Sequence, residues 1–122
     1  MARVLALIPD LLFGSRVQGM LLGAGHEVEL AGDCARVRAL LRGGEGFEVL
    51  ILDLTVTEPD GVGLLRELIA GGELGETRTL AFYAHVDPAA RERALDAGCD
   101  LVVPRSRMAR EGAALVERLA GG

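Results

Sequence analysis

Five short apolar runs alternate along the chain with longer stretches in which apolar residues recur at helical spacing. The runs are Arg3 to Ile8, Glu27 to Ala31, Val49 to Asp53, Thr79 to Ala84 and Leu101 to Val103, each of strand length. The stretches between and after them predict five helices, starting from Ser15, Asp33, Asp60, Asp87 and Ser106. Each of these five side chains can accept a hydrogen bond from the free amides of a first turn. Gly25, Gly43-Gly44, Gly71-Gly72 and Gly98 fall where left-handed helix caps are wanted. Strand-helix units repeated in this way predict an α/β fold, a doubly wound five-stranded parallel sheet with helices on both faces.

In such a sheet the functional cleft lies beyond the C-terminal strand ends. Ile8 to Asp10, Asp53 to Thr55, Tyr83 to His85, and Pro104-Arg105 are therefore expected to converge. Asp53 stands out among them, because it is one carboxylate closing the apolar run Val49-Leu50-Ile51-Leu52. The turn after the first run reads Pro9-Asp10-Leu11-Leu12-Phe13-Gly14-Ser15, without the glycine spacing that cradles a phosphate, which disfavours nucleotide binding.

Composition narrows the chemistry. At 122 residues, half of them apolar, the chain is expected to form one domain over residues 1–122 with no output domain attached. All thirteen basic residues are arginine, and the net charge of -5 argues against a nucleic-acid binder. Cys34 and Cys99 have no partner at ligand spacing and read as small buried hydrophobes. His26 and His85 each stand alone and read as surface residues. No apolar stretch approaches membrane-spanning length and no leader pattern opens the chain, so a cytoplasmic location without membrane partners is expected.

Leu52-Asp53-Leu54 with Glu58-Pro59-Asp60-Gly61, and the Gly98-Cys99-Asp100 turn, make the chain resemble the receiver domains of two-component response regulators over nearly its full length. The resemblance implies the CheY-like, flavodoxin-like (βα)₅ fold with strand order 2-1-3-4-5. It places the phosphoacceptor on Asp53 and the switch positions on Tyr83, Arg105 and Val102. The acidic pair that holds magnesium in the family falls on Ile8 and Pro9, with Asp10 one place beyond. Asp53, Asp10 and the Thr55 carbonyl are then the candidate metal ligands, an incomplete set that a working receiver would complete with Asp60 or Glu58, and Mg2+ is a cofactor only if that site functions. Tyr83 stands where the family has a small hydroxyl residue, and Arg105-Ser106 where it has lysine followed by proline.

Bringing a carboxylate to about 4 Å from a phosphoryl charge costs roughly 4 kcal/mol at an effective dielectric near 20, on the order of a thousandfold in rate. Magnesium normally offsets that cost. The resulting expectation is a non-enzymatic signalling module of phosphorelay type, a pseudo-receiver whose phosphorylation is slow or absent. Its partner would be a histidine kinase or a downstream signalling protein. By resemblance the partner face is the fourth helix, fifth strand and fifth helix, with Arg91, Arg93, Asp96, Arg107 and Arg110, and the same face suits a weak homodimer. Two other readings remain open: a working receiver phosphorylated on Asp53 by a histidine kinase, and a small-ligand binder on the flavodoxin-like architecture.

Overall fold

The computed structural model describes residues 1–121. Its elements run β1 (Arg3–Leu7), α1 (Leu11–Gly23), β2 (Glu27–Ala31), α2 (Cys34–Arg42), β3 (Val49–Asp53), α3 (Gly61–Ala70), β4 (Arg78–Tyr83), α4 (Pro88–Asp96), β5 (Leu101–Pro104) and α5 (Arg105–Gly121). The strands form one parallel sheet in the order β2-β1-β3-β4-β5. This is the predicted doubly wound architecture.

Alternation along the strands builds two cores. Val4, Ala6, Val49, Ile51, Leu80, Phe82 and Val103 face α1 and α5, where Phe13, Val17, Leu21, Met108, Leu115 and Val116 cover them. Leu5, Leu7, Leu50, Leu52, Ala81 and Val102 face the other way, against Val37 of α2, the α3 leucines and Ala94 of α4. The central strand β3 is buried at all five positions, which is why its sequence is a continuous apolar run and not an alternating one.

The helix ends follow the capping chemistry with three corrections. α1 does not start from Ser15; it starts at Leu11, because the Asp10 carboxylate accepts from the Leu12 and Phe13 amides at 2.9 and 3.2 Å. α5 begins at Arg105, directly after β5 and ahead of the Ser106 start. Asp33 and Asp60 cap α2 and α3 as expected, accepting from Arg36 and Gly63, whereas Asp87 precedes α4 without a side-chain cap bond. Gly25 and Gly98 take φ of 90° and 101°, and the residue after each donates its amide back into the preceding helix, His26 to Leu21 and Cys99 to Ala94. Glycine has no Cβ to oppose that left-handed turn.

His26 corrects another expectation. It is 4% exposed, buried and not a surface residue. Its Nδ1 accepts from the Ala2 amide at 3.0 Å, and its Nε2 lies 3.5 Å from Glu117 of α5. His85 is exposed, Cys99 is buried and Cys34 is half-buried. Burial raises the pKa of both thiols, leaving them less reactive than a free cysteine. No helix among the described residues is long and apolar enough to cross a membrane.

Candidate functional site

Asp53 ends β3 at the point where strand order reverses, between β1 on one side and β4 on the other. Parallel register pairs it with Phe82, and the next amide, Leu54, donates to the Phe82 carbonyl at 2.9 Å. The carboxylate is thus carried by rigid strand and only 1% exposed. Its Oδ1 accepts from the Thr55 amide at 2.8 Å and from the Thr55 hydroxyl at 2.5 Å. An aspartate that bonds the backbone two residues on is a local turn device. Here it fixes the rotamer of Asp53 and leads the chain out of the sheet.

Burial raises the Asp53 pKa above the ordinary carboxylate value. The two Thr55 hydrogen bonds and the positive charge of Arg105 oppose that rise, and the negative charge of Asp10 adds to it. Desolvation dominates because the group has left water without gaining an ion-pair partner.

The other expected residues arrive at the same end of the sheet in different roles. Ile8 is buried in the α1–α5 core at 4% exposure, and Pro9 is half-buried and offers no side-chain ligand. Asp10 is exposed, with Oδ1 spent on two amides of α1. Tyr83 is half-buried against the α2–α4 core, the face opposite Phe82. Val102 lies in that same core, in register with Ala81. Arg105 is exposed and places its guanidinium carbon 3.9 Å from the centre of the Phe13 ring. It forms no ion pair with Asp53.

These donors do not fit a magnesium centre. Magnesium demands near-octahedral oxygen ligation and is held by one or two carboxylates with waters or substrate oxygens. Ile8 and Pro9 supply no oxygen from their side chains, one Asp10 oxygen is engaged by the α1 amides, and one Asp53 oxygen is engaged by Thr55. Among the described residues no three His, Cys, Asp or Glu side chains gather as a metal cluster.

A groove of ≈ 310 Å³ opens beside Thr55, between the β3–α3 loop and the start of α4, lined in part by Thr57, Asp60, Asp87, Ala90 and Arg93. A larger cavity of ≈ 890 Å³ includes Phe47, Glu76, Arg78 and Leu119. It lies at the opposite end of the strands, away from Asp53, and offers no part of this constellation.

On the α4 and α5 surface, Arg91, Arg93, Asp96 and Arg110 are exposed and Arg107 is half-buried. The arginines pair within their own segments: Arg91 with Glu92 at 3.0 Å, Arg93 with Asp87 at 3.7 Å, Arg107 and Arg110 with Glu111 at 3.5 and 3.9 Å. Asp96 closes α4. Exposed pairs of this kind contribute little stability.

The fold is that of response-regulator receiver domains. The NarL signal receiver domain of Mycobacterium tuberculosis superposes with a TM-score of 0.82 at 25% identity, covering 99% of this chain and 97% of that one. The receiver domain of sensor histidine kinase PA1611 from Pseudomonas aeruginosa PAO1, solved with magnesium in its active-site cleft, gives 0.85 at 19% identity, covering 99% and 98%. Chemotaxis response regulator CheY4 of Vibrio cholerae gives 0.79 at 22%, covering 98% of each chain. No protein-family model and no curated sequence matches the chain.

Two side chains carry roles that sequence reasoning missed. The Thr55 hydroxyl binds Asp53, whereas only the Thr55 carbonyl was expected to matter. Its signal was present: a hydroxyl residue two places after a strand-ending aspartate. Phe13 beneath Arg105 had no such local signal, because the two residues come from opposite ends of the chain.

Proposed function

We propose that this chain is a receiver-like signalling module that acts through protein contacts, with phosphotransfer to Asp53 slow or absent. The observation that carries the reading is the pair of strand ends at the mouth. Asp53 ends β3 where the resemblance puts a phosphoacceptor, while β1 leads into buried Ile8 and half-buried Pro9 where the resemblance puts the acids that hold a metal. Without a divalent cation, the approach of a phosphoryl group meets an uncompensated carboxylate, and Arg105 cannot bridge carboxylate and phosphoryl oxygens and hold them in line.

The receiver-like neighbours support two-component signalling as the setting, and the magnesium-bearing Pseudomonas domain supplies the contrast. The module has no catalytic role of its own; its partner is a signalling protein, a kinase or a downstream target. The α4–β5–α5 face is the proposed contact surface, with Arg91, Arg93, Asp96, Arg107 and Arg110 at its polar positions, and it also suits a weak homodimer. A working receiver phosphorylated on Asp53 is the competing reading. Incubation with acetyl phosphate and saturating magnesium, followed by intact-mass measurement, separates the two. The proposal expects no phosphoryl adduct within minutes; an adduct formed on that scale and lost in Asp53→Ala establishes the competing reading.

A further inference from the structure

The His26 side chain is 2% exposed and lies at the end of the strands opposite Asp53, in the turn that leads from α1 into β2. Its backbone is held in place, because its amide donates to the Leu21 carbonyl at 3.0 Å. Ala2 is gripped from two sides: its carbonyl accepts from the Glu27 amide at 2.9 Å, and its own amide donates to His26 Nδ1 at 3.0 Å. The ring thereby adds one bond to the β1–β2 ladder ahead of the Arg3–Glu27 rung. A ring nitrogen that accepts carries no proton, so the neutral ring holds its hydrogen on Nε2. Among the described residues, that Nε2 is the one buried side-chain nitrogen or oxygen without a hydrogen-bond partner. An unpaired buried donor calls for a reason, and here Glu117 Oε1 of α5 stands 3.5 Å from it.

Charge around the ring is sparse. Among the described residues Glu117 supplies the one carboxylate within 4.0 Å of it. On β1 and β2, Arg3 and Glu27 pair with each other at 3.0 Å, and Arg3 also reaches Glu45 at 2.6 Å. The end of α1, from Met20 to Gly25, carries no charged side chain. On α5, Arg118 beside Glu117 is exposed, as is Met1 beside Ala2.

We propose that His26 is a proton-operated clasp between the sheet and α5. In its neutral form it holds the Ala2 amide through Nδ1. A proton taken from water at Nδ1 turns that acceptor into a donor facing the Ala2 N–H, so the bond is lost, and the imidazolium is held by Glu117 through Nε2. Acid thus exchanges a sheet contact for a helix contact and frees the start of β1. The clasp sits at the far end of the strands from the mouth and is independent of any reading of Asp53.

NMR of the full chain from about pH 8 to about pH 5, the range in which histidine changes charge, tests the clasp. Ring nitrogen shifts report tautomer and protonation, hydrogen exchange reports the Ala2 amide, and the carboxyl carbon reports Glu117. At the alkaline end the Nε2–H tautomer is expected. As the ring takes up its proton, the Ala2 protection factor is expected to fall about tenfold, the loss of one buried hydrogen bond, while that of Ile51 in β3 holds. The Glu117 carboxyl signal moves with the same midpoint. The surface change Glu117→Gln keeps the Ala2 protection at the alkaline end and lets Nε2–H of the charged ring exchange faster than in the wild type. His26→Gln shows no step in the Ala2 or Glu117 signals at the midpoint of the wild-type ring, which separates the clasp from titration of the Met1 amine.

Ala2 protection that holds through protonation of the ring overturns the proposal. So does a ring that stays neutral down to about pH 5 in an intact fold, which leaves His26 a fixed pin. An Nδ1–H tautomer at the alkaline end contradicts the acceptor role itself. If His26→Gln does not fold, the wild type and Glu117→Gln still decide among these outcomes.

Discussion

β1 and β3 lie side by side, in register from Val4 with Val49 to Leu7 with Leu52, and are apolar and buried almost throughout, yet they end in opposite ways. β3 ends in Asp53, a buried carboxylate tied to Thr55. β1 leads into Ile8, which continues the hydrophobic core, and Pro9. The difference teaches that the mouth and the fold draw on different positions of the same strands. Burial of Leu5, Leu7, Leu50 and Leu52 fixes the sheet whether or not polar groups follow, so the architecture does not depend on which side chains close the strands.

The largest break in that comparison comes from making the two ends alike. Ile8→Asp puts a carboxylate into the α1–α5 core and is expected to cost about 3 kcal/mol or more, measured by urea unfolding. A cost near zero would mean that Ile8 can turn its replacement into the mouth, and that the β1 end is a dormant ligand site.

Next comes Asp53→Asn. Because burial raises the folded-state pKa of Asp53, the folded state binds this proton more tightly than the unfolded state. Asp53 therefore contributes a loss of stability as pH rises from the ordinary carboxylate value, 3.8, through the raised folded value, and the loss persists at neutral pH. Asp53→Asn is expected to flatten that part of the stability–pH profile and to be more stable than the wild type at pH 7 relative to pH 3. An unchanged profile would show that Asp53 ionises as freely in the fold as in the unfolded chain.

Asp10→Ala removes the α1 cap and is expected to cost about 1 kcal/mol. A smaller loss would indicate that Asp10 is available for another task. The smallest effect belongs to the α4–α5 surface: Arg110→Ala, with a pair to Glu111 at 3.9 Å, is expected to change stability by less than about 0.5 kcal/mol. A larger change would count against that face being free for a partner.

How far the sequence was legible follows from the same contrast. Runs such as Val49 to Leu52 announce strands because burial on both faces leaves no polar position to blur them. The start of α1 was less legible, since Leu11 and Leu12 are 83% and 86% exposed and interrupt the amphipathic pattern around Asp10. Alternation along β4 puts Tyr83 with Ala81 and not with Phe82, so its packing on the α2–α4 side was implicit in the spacing. His26 looked like a surface residue because its partners, Ala2 and Glu117, come from distant parts of the chain. The seat of Arg105 on Phe13 is tertiary in the same sense, and no local pattern encodes it.

On the proposed reading, Asp53 stands at a phosphoacceptor position without the means to take up a phosphoryl group. Amide NMR of the wild type and Asp53→Ala, titrated with magnesium and then with beryllofluoride, tests it directly at Asp53, Tyr83 and Arg105. A well-folded spectrum with no saturable shift at any of these residues is expected. Saturable shifts that vanish in Asp53→Ala would contradict it and establish a working acceptor.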